Sequence, residues 1–180
     1  MTTSTRISVN RAPVLTLWAA VVAERLGYER DEALTLGRAV AGLNAQAKGR
    51  RLGIFEPAAG AKAGKPRPKP RGVVAVDLLG RAVPAVRTRS GLRALGKDDK
   101  PDSPEAVQRY LAGKFGDALD DVRRAMGELA GSLAPSALAT RAFALYEEFR
   151  PEVPSGKGGW GARGVLDLER VRKLARGGRR

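Results

Sequence analysis

The stretch SPEAVQRYLAGKFGDALDDVRRAMGELAGSLAPSALATRAFALYEEF, Ser103–Phe149, decides the fold. Ser103-Pro104-Glu105 is a helix start: a side-chain cap, a proline at the first helical position and an acid beside the positive end of the dipole. Val107, Tyr110, Leu111 and Phe115 then lie on one face. Beyond Gly116, Leu119, Val122, Met126, Leu129 and Leu133 recur at spacings of 3, 4, 3 and 4, the period of one helical stripe. Pro135-Ser136 interrupts the pattern. Leu138, Ala142, Leu145 and Phe149 resume it at 4, 3 and 4, and Pro151 and Pro154 end it.

Outward from there, Ser155–Gly164 (SGKGGWGARG) reads as a Gly-rich loop. It leads to a last helix capped near Asp167, with Leu168, Val171, Leu174 and Ala175 facing inward, and to a basic tail, 176–180. Toward the N-terminus, residues 89–102 read as a polar loop. Val73–Thr88 reads as a β-hairpin: Val74, Val76 and Leu78 alternate, Gly80-Arg81 supplies the turn, and Val83 and Val86 return. Pro84 lacks an amide N–H, which places the second strand at an edge.

Residues 52–72 form a basic linker with Pro57, Pro66, Pro68 and Pro70, expected to be extended. Residues 10–51 form a helical hairpin. Asn10 caps a first helix whose apolar residues, Val14 to Leu26, cover a wide face, as in a buried central helix that ends at Gly27. Asp31 opens the second helix, where Leu36, Val40, Leu43 and Ala47 recur among small residues that permit close packing. Residues 1–9 read as a flexible arm. The expected fold is a mostly helical single domain, with a helical hairpin, one inserted β-hairpin and a C-terminal group of three or four helices. No internal repeat is present.

Charge separates along this chain of 180 residues. The total is +14. Residues 1–72 carry 13 basic and 5 acidic side chains, residues 73–155 carry 12 of each, and residues 156–180 carry 8 and 2. Genomic base composition explains an excess of 24 Arg over 9 Lys, but not a net charge confined to two flanks. Flanks of this kind present a concentrated positive field to a polyanion. The chain has no Cys and no His, which removes thiolate and imidazole metal sites, Cys nucleophiles, Ser-His triads and disulfides. No cofactor or metal is expected. The lack of Cys suits a reducing, cytoplasmic setting. Ala12–Ala23 is too short an apolar run to span a bilayer. Its helical pattern continues past any cleavage point, which favours a buried helix over a signal peptide. No membrane partner is expected.

Four features carry candidate chemistry. Lys62, Lys65, Arg67, Lys69 and Arg71 alternate with Pro and Gly in the linker, an arrangement able to follow a phosphate backbone or lie in a minor groove. Lys48, Arg50 and Arg51, at the end of the second helix, extend that footprint. The C-terminal set is Lys157, Arg163, Arg170, Arg172, Lys173, Arg176, Arg179 and Arg180. Arg172 and Arg176 at i, i+4 repel one another unless an anion intervenes. Trp160, between Gly159 and Gly161, either stacks on a base or anchors its loop to the core. Ala33 and Gly37 have the spacing of a helix-turn-helix, but the apolar pattern runs through them unbroken and favours one continuous helix. Asp117 and Asp121 sit where a helix dipole favours acids, and no phosphate-binding glycine loop is present.

The expectation is non-enzymatic binding of DNA or RNA through phosphates, with low sequence specificity. Two rivals stand beside it. One is an interaction module that docks an acidic protein or self-associates through partly exposed seams at Leu119–Leu133 and Leu138–Phe149. The other is an enzyme with an Arg/Asp/Tyr site.

Overall fold

The computed structural model describes residues 6–51, 72–96, 100–151 and 164–178. The fold is built around helix α1 (Arg11–Arg25), in which every residue from Pro13 to Ala23 is buried. A helix apolar on all sides belongs at a centre, and the other layers surround it. Trp18 is fully buried and donates its indole N–H to the Ala142 carbonyl at 2.9 Å. Phe149 meets its ring edge-on, with centroids 5.2 Å apart. Asn10 holds the N-cap position in extended backbone, but its side chain makes no capping hydrogen bond to the helix, so only its position is as expected. Gly27, at φ 113°, ends the helix. The Tyr28 amide bonds the Ala23 carbonyl at 3.0 Å and the Gly27 amide that of Glu24 at 3.1 Å, the paired bonds of a Schellman cap.

Helix α2 (Arg30–Arg51) returns along α1 as one unbroken helix. Glu32, in its first turn, accepts the Glu29 amide at 3.0 Å, half of a capping box. Ala33 and Gly37 are therefore not a helix-turn-helix signature but a packing seam. A Cβ on Gly37 would lie 2.4 Å from the Thr16 carbonyl oxygen and 2.9 Å from the Ala20 nitrogen.

Strands β2 (Val74–Leu78), β3 (Arg81–Thr88) and β4 (Gly91–Ala94) form an antiparallel sheet in the order β2-β3-β4. The expected hairpin thus gains a third strand from residues read as loop. Its two-residue turn is Leu79-Gly80, with φ of 51° and 76°, one residue earlier than expected. Both residues have the left-handed backbone that such turns require.

Pro84 lies in the central strand, not at an edge, opposite Ala75 on β2. Its carbonyl accepts the Leu95 amide at 2.9 Å, on the β4 side. Amide and carbonyl of one strand residue point the same way, so the N–H that Pro84 lacks would face the place where β4 ends. Only one bond of the ladder is forgone there.

The exposed side of β4 is closed by α2. The Leu92 amide donates to Glu32 Oε2 at 2.9 Å and the Ala94 amide to Thr35 Oγ1 at 3.1 Å. The Ala94 carbonyl accepts from the Asp102 amide at 2.8 Å.

Helix α3 (Pro104–Phe115) starts as its sequence requires, with Ser103 Oγ accepting the Ala106 amide at 3.2 Å. A 3-10 turn, Gly116–Ala118, leads into α4 (Leu119–Gly131), and α5 (Pro135–Phe149) follows. Leu119, Val122, Met126, Leu129 and Leu133 are all buried, as are Leu138, Ala142, Leu145 and Phe149. Both seams are spent inside the chain, so neither is the partly exposed surface that self-association would use.

Residues 6–9 are not a free arm. They form β1 (Arg6–Val9), paired antiparallel with β5 (Gly164–Asp167), Ile7 opposite Leu166. Asp167 Oδ1 then caps α6 (Leu168–Gly178), accepting the Glu169 amide at 3.0 Å. Helix α6 packs on α4, while α2 lies against α1, α3 and the sheet. Among the described residues no helix is long and apolar enough to cross a membrane.

Candidate nucleic-acid interface and the arginine cleft

Helix α6 buries Leu168, Val171 and Ala175 and half-buries Leu174, as its pattern implies. Its cations lie on the remaining surface, where Lys173 and Arg176 are exposed. Arg172 is partly committed elsewhere: its Nη1 donates to Glu169 Oε1 at 2.9 Å, one turn back. That pair offsets part of the expected Arg172–Arg176 repulsion within the helix itself.

Lys48, Arg50 and Arg51 fall in the last turns of α2, with side chains outside the described set. That end of α2 adjoins the β2–β3 turn, since Arg81 Nη2 donates to Asn44 Oδ1 at 3.1 Å. Lys62, Lys65, Arg67, Lys69, Arg71, Lys157, Trp160, Arg163, Arg179 and Arg180 lie outside the described residues. Of the sequence-predicted cations, α6 brings together Arg170, Arg172, Lys173 and Arg176. Lys48, Arg50 and Arg51 belong to a different layer, the α1–α2 side with its sheet.

A second group of cations has no counterpart in the sequence reading. Where the α1–α2 hairpin turns, Arg25 from the end of α1, Arg30 from the start of α2 and Arg123 from α4 line an open cleft of about 380 Å³. Arg123 Nη1 donates to Glu24 Oε2 at 3.0 Å. Its Nη2 is buried and has no hydrogen-bond partner among the described residues. Burial, and after it the field of Arg30, hold the Arg123 guanidinium below its ordinary pKa, against the pull of Glu24 and Asp120. Arg25 Nη2 reaches the Leu133 carbonyl at 3.1 Å, just beyond the end of α4. Gly127 and Ala130 on α4 add no bulk to the cleft wall.

The linear signal for this cleft was weak. Arg123 occupies a polar position between the seam residues Val122 and Met126, and nothing along the chain relates it to Arg25 and Arg30. Only the antiparallel turn of α1 into α2, laid against α4, joins them.

A second cleft, on the other side of Arg30, is lined by Asp31, Glu105, Gln108 and Arg109. It mixes both signs of charge. Among the described residues no three acidic side chains converge as metal ligands would. Compared with protein-family models, with curated proteins and with solved structures, the chain matches none.

Proposed function

We propose that this protein binds DNA or RNA through phosphate contacts, without catalysis and with little base specificity, in the cytoplasm. The observation that carries this reading is the confinement of the excess charge to two flanks around a neutral middle. The helix α6 supports it. It keeps its apolar stripe in the core and leaves Lys173 and Arg176 exposed, a side from which phosphates are reached without unfolding anything. The absence of Cys favours the cytoplasmic placement.

The test is fluorescence anisotropy of labelled duplex DNA, single-stranded DNA and RNA across a salt series. The intact chain should bind with submicromolar affinity at low salt, and log K on duplex DNA should fall by about 0.9 per phosphate contact for each decade of salt. Lys173→Gln with Arg176→Gln should weaken binding to all sequences alike and lower the slope by about 2. Replacing Lys62, Lys65, Arg67, Lys69 and Arg71 by Gln should lower it further. Failure of all three ligands near physiological salt would sink the reading and direct attention to an acidic protein partner.

A further inference from the structure

The turn of the helical hairpin gathers more guanidinium than carboxylate. Three arginines line the cleft there, against one lining carboxylate, Glu24, which already accepts from Arg123 Nη1. Asp120 acts on Arg123 as a further negative charge. Even so, Arg123 Nη2 is left buried with no acceptor among the described residues. A buried donor without an acceptor is costly, more so when it is charged. Arg30 adds to that cost, because its positive field opposes the charge on Arg123. An anion seated between the two guanidinium groups would reverse that repulsion, and Nη2, now shut from solvent, would be satisfied where the Arg123 guanidinium turns toward it.

We propose that the cleft formed by Arg25, Arg30 and Arg123 is a binding site for a phosphate group. The chemistry favours phosphate over carboxylate. A carboxylate is matched by one guanidinium fork, whereas a phosphate offers three oxygens and a second charge, and so accepts from two guanidinium groups at once. A cleft of about 380 Å³ has room for the remainder of a phosphorylated molecule. The walls on α4 suit this. Gly127 is exposed in mid-helix, and a Cβ there would meet nothing within 4 Å. The site does not rest on the nucleic-acid reading, since it uses none of the cations of α6 or the linker.

The experiment titrates the full chain with inorganic phosphate, with chloride holding ionic strength constant. Binding is read by calorimetry and by the rise in unfolding midpoint. Saturable one-to-one binding is expected. Arg30→Gln should weaken it at least about tenfold. Arg30 is exposed, so this change leaves the core untouched. Gly127→Met keeps every guanidinium and crowds the cleft, and it too should weaken binding about tenfold while leaving the protein folded. The double change Lys173→Gln, Arg176→Gln should leave phosphate binding unaltered even where it abolishes oligonucleotide binding. Parallel titrations with a 5′-mononucleotide and a short single-stranded DNA separate the sources. If Arg30→Gln weakens the mononucleotide alone, the occupant is a free phosphorylated compound. If it weakens the oligonucleotide as well, the phosphate is that of a strand. The proposal is overturned if chloride protects as well as phosphate, or if Arg30→Gln and Gly127→Met both bind phosphate as tightly as the unchanged chain.

Discussion

At Gly37 a single hydrogen decides how closely α1 and α2 approach. A methyl group there would be driven into the backbone of α1 at Thr16 and Ala20, and backbone does not yield as the end of a side chain does. Gly37→Ala is therefore expected to destabilise the protein by about 2 kcal/mol or more through overpacking. Gly113, in α3, has nothing within 4 Å of its added Cβ, so Gly113→Ala should stabilise by about 0.5–1 kcal/mol. Urea unfolding of the two variants separates a packing glycine from a merely tolerated one. Small residues along α2 were legible in the sequence; the particular glycine at the contact was not, because that depends on what α1 presents opposite it.

Glu32 is the other residue that works beyond its own helix. The amides of Glu29 and Leu92 hold its carboxylate below the ordinary range, with Arg87 and Arg93 adding to the effect. A carboxylate whose folded pKa is depressed contributes stability that is present above its unfolded pKa of about 4.3 and is lost as pH falls through the folded value. Glu32→Gln should cost about 1–2 kcal/mol near neutral pH and less at pH 3, where the native carboxylate is itself becoming protonated. Denaturant midpoints at pH 7 and pH 3 measure the difference. A cost equal at both values would mean that the charge of Glu32 is immaterial.

Among elements, the long helices were readable and the short strands were not. The seams of α4 and α5 repeat over several turns, and all their residues are buried. The fourth strand, β4, is only GLRA, with Leu92, Arg93 and Ala94 all buried. It shows no alternation, and its amides are answered by Glu32 and Thr35, some sixty residues away. Pro84 misled for a related reason: a proline in a central strand forgoes a single ladder bond, and here that bond falls opposite Leu95, just past the end of β4.

The packing of α1 on α5 has its own consequences. Trp18→Phe removes the bond to Ala142 and part of the buried ring, and should cost about 2–4 kcal/mol in thermal or chemical unfolding. Tyr146, buried on α5 near Arg11 and Arg150, has its phenol pushed up to about 12, chiefly by burial. Folding therefore favours the neutral phenol. Its contribution is complete below about pH 10, the unfolded value, and is lost as pH rises from there toward 12. Tyr146→Phe should flatten the alkaline decline of stability, as followed by unfolding midpoints from pH 8 to 11.

For the whole molecule, the sequence disclosed which segments carry charge but not which cations meet. The flanks were legible because net charge is additive along a chain. The cleft of Arg25, Arg30 and Arg123 was not, because it requires the hairpin turn and α4 to coincide in space. The pairing of β1 with β5 escaped for the same reason, since four-residue strands find their partner only across the full length of the fold. Leu166, fully buried in β5, seats that pair. Leu166→Ala should cost about 2–5 kcal/mol and hasten amide exchange in both β1 and β5. Exchange unchanged in β1 would show that the first strand is held without its partner.

That pairing also sets an order of events during synthesis. Ile7 is made well before Leu166, the partner it faces. At translation rates of about 5–20 residues per second, the roughly 160 residues between them take on the order of 10–30 s to appear. Through that interval the N-terminal strand has α1 behind it but no neighbour for its backbone. The earlier strand is thus completed by the later one, and β1 stays open to strands of other chains until its own arrives.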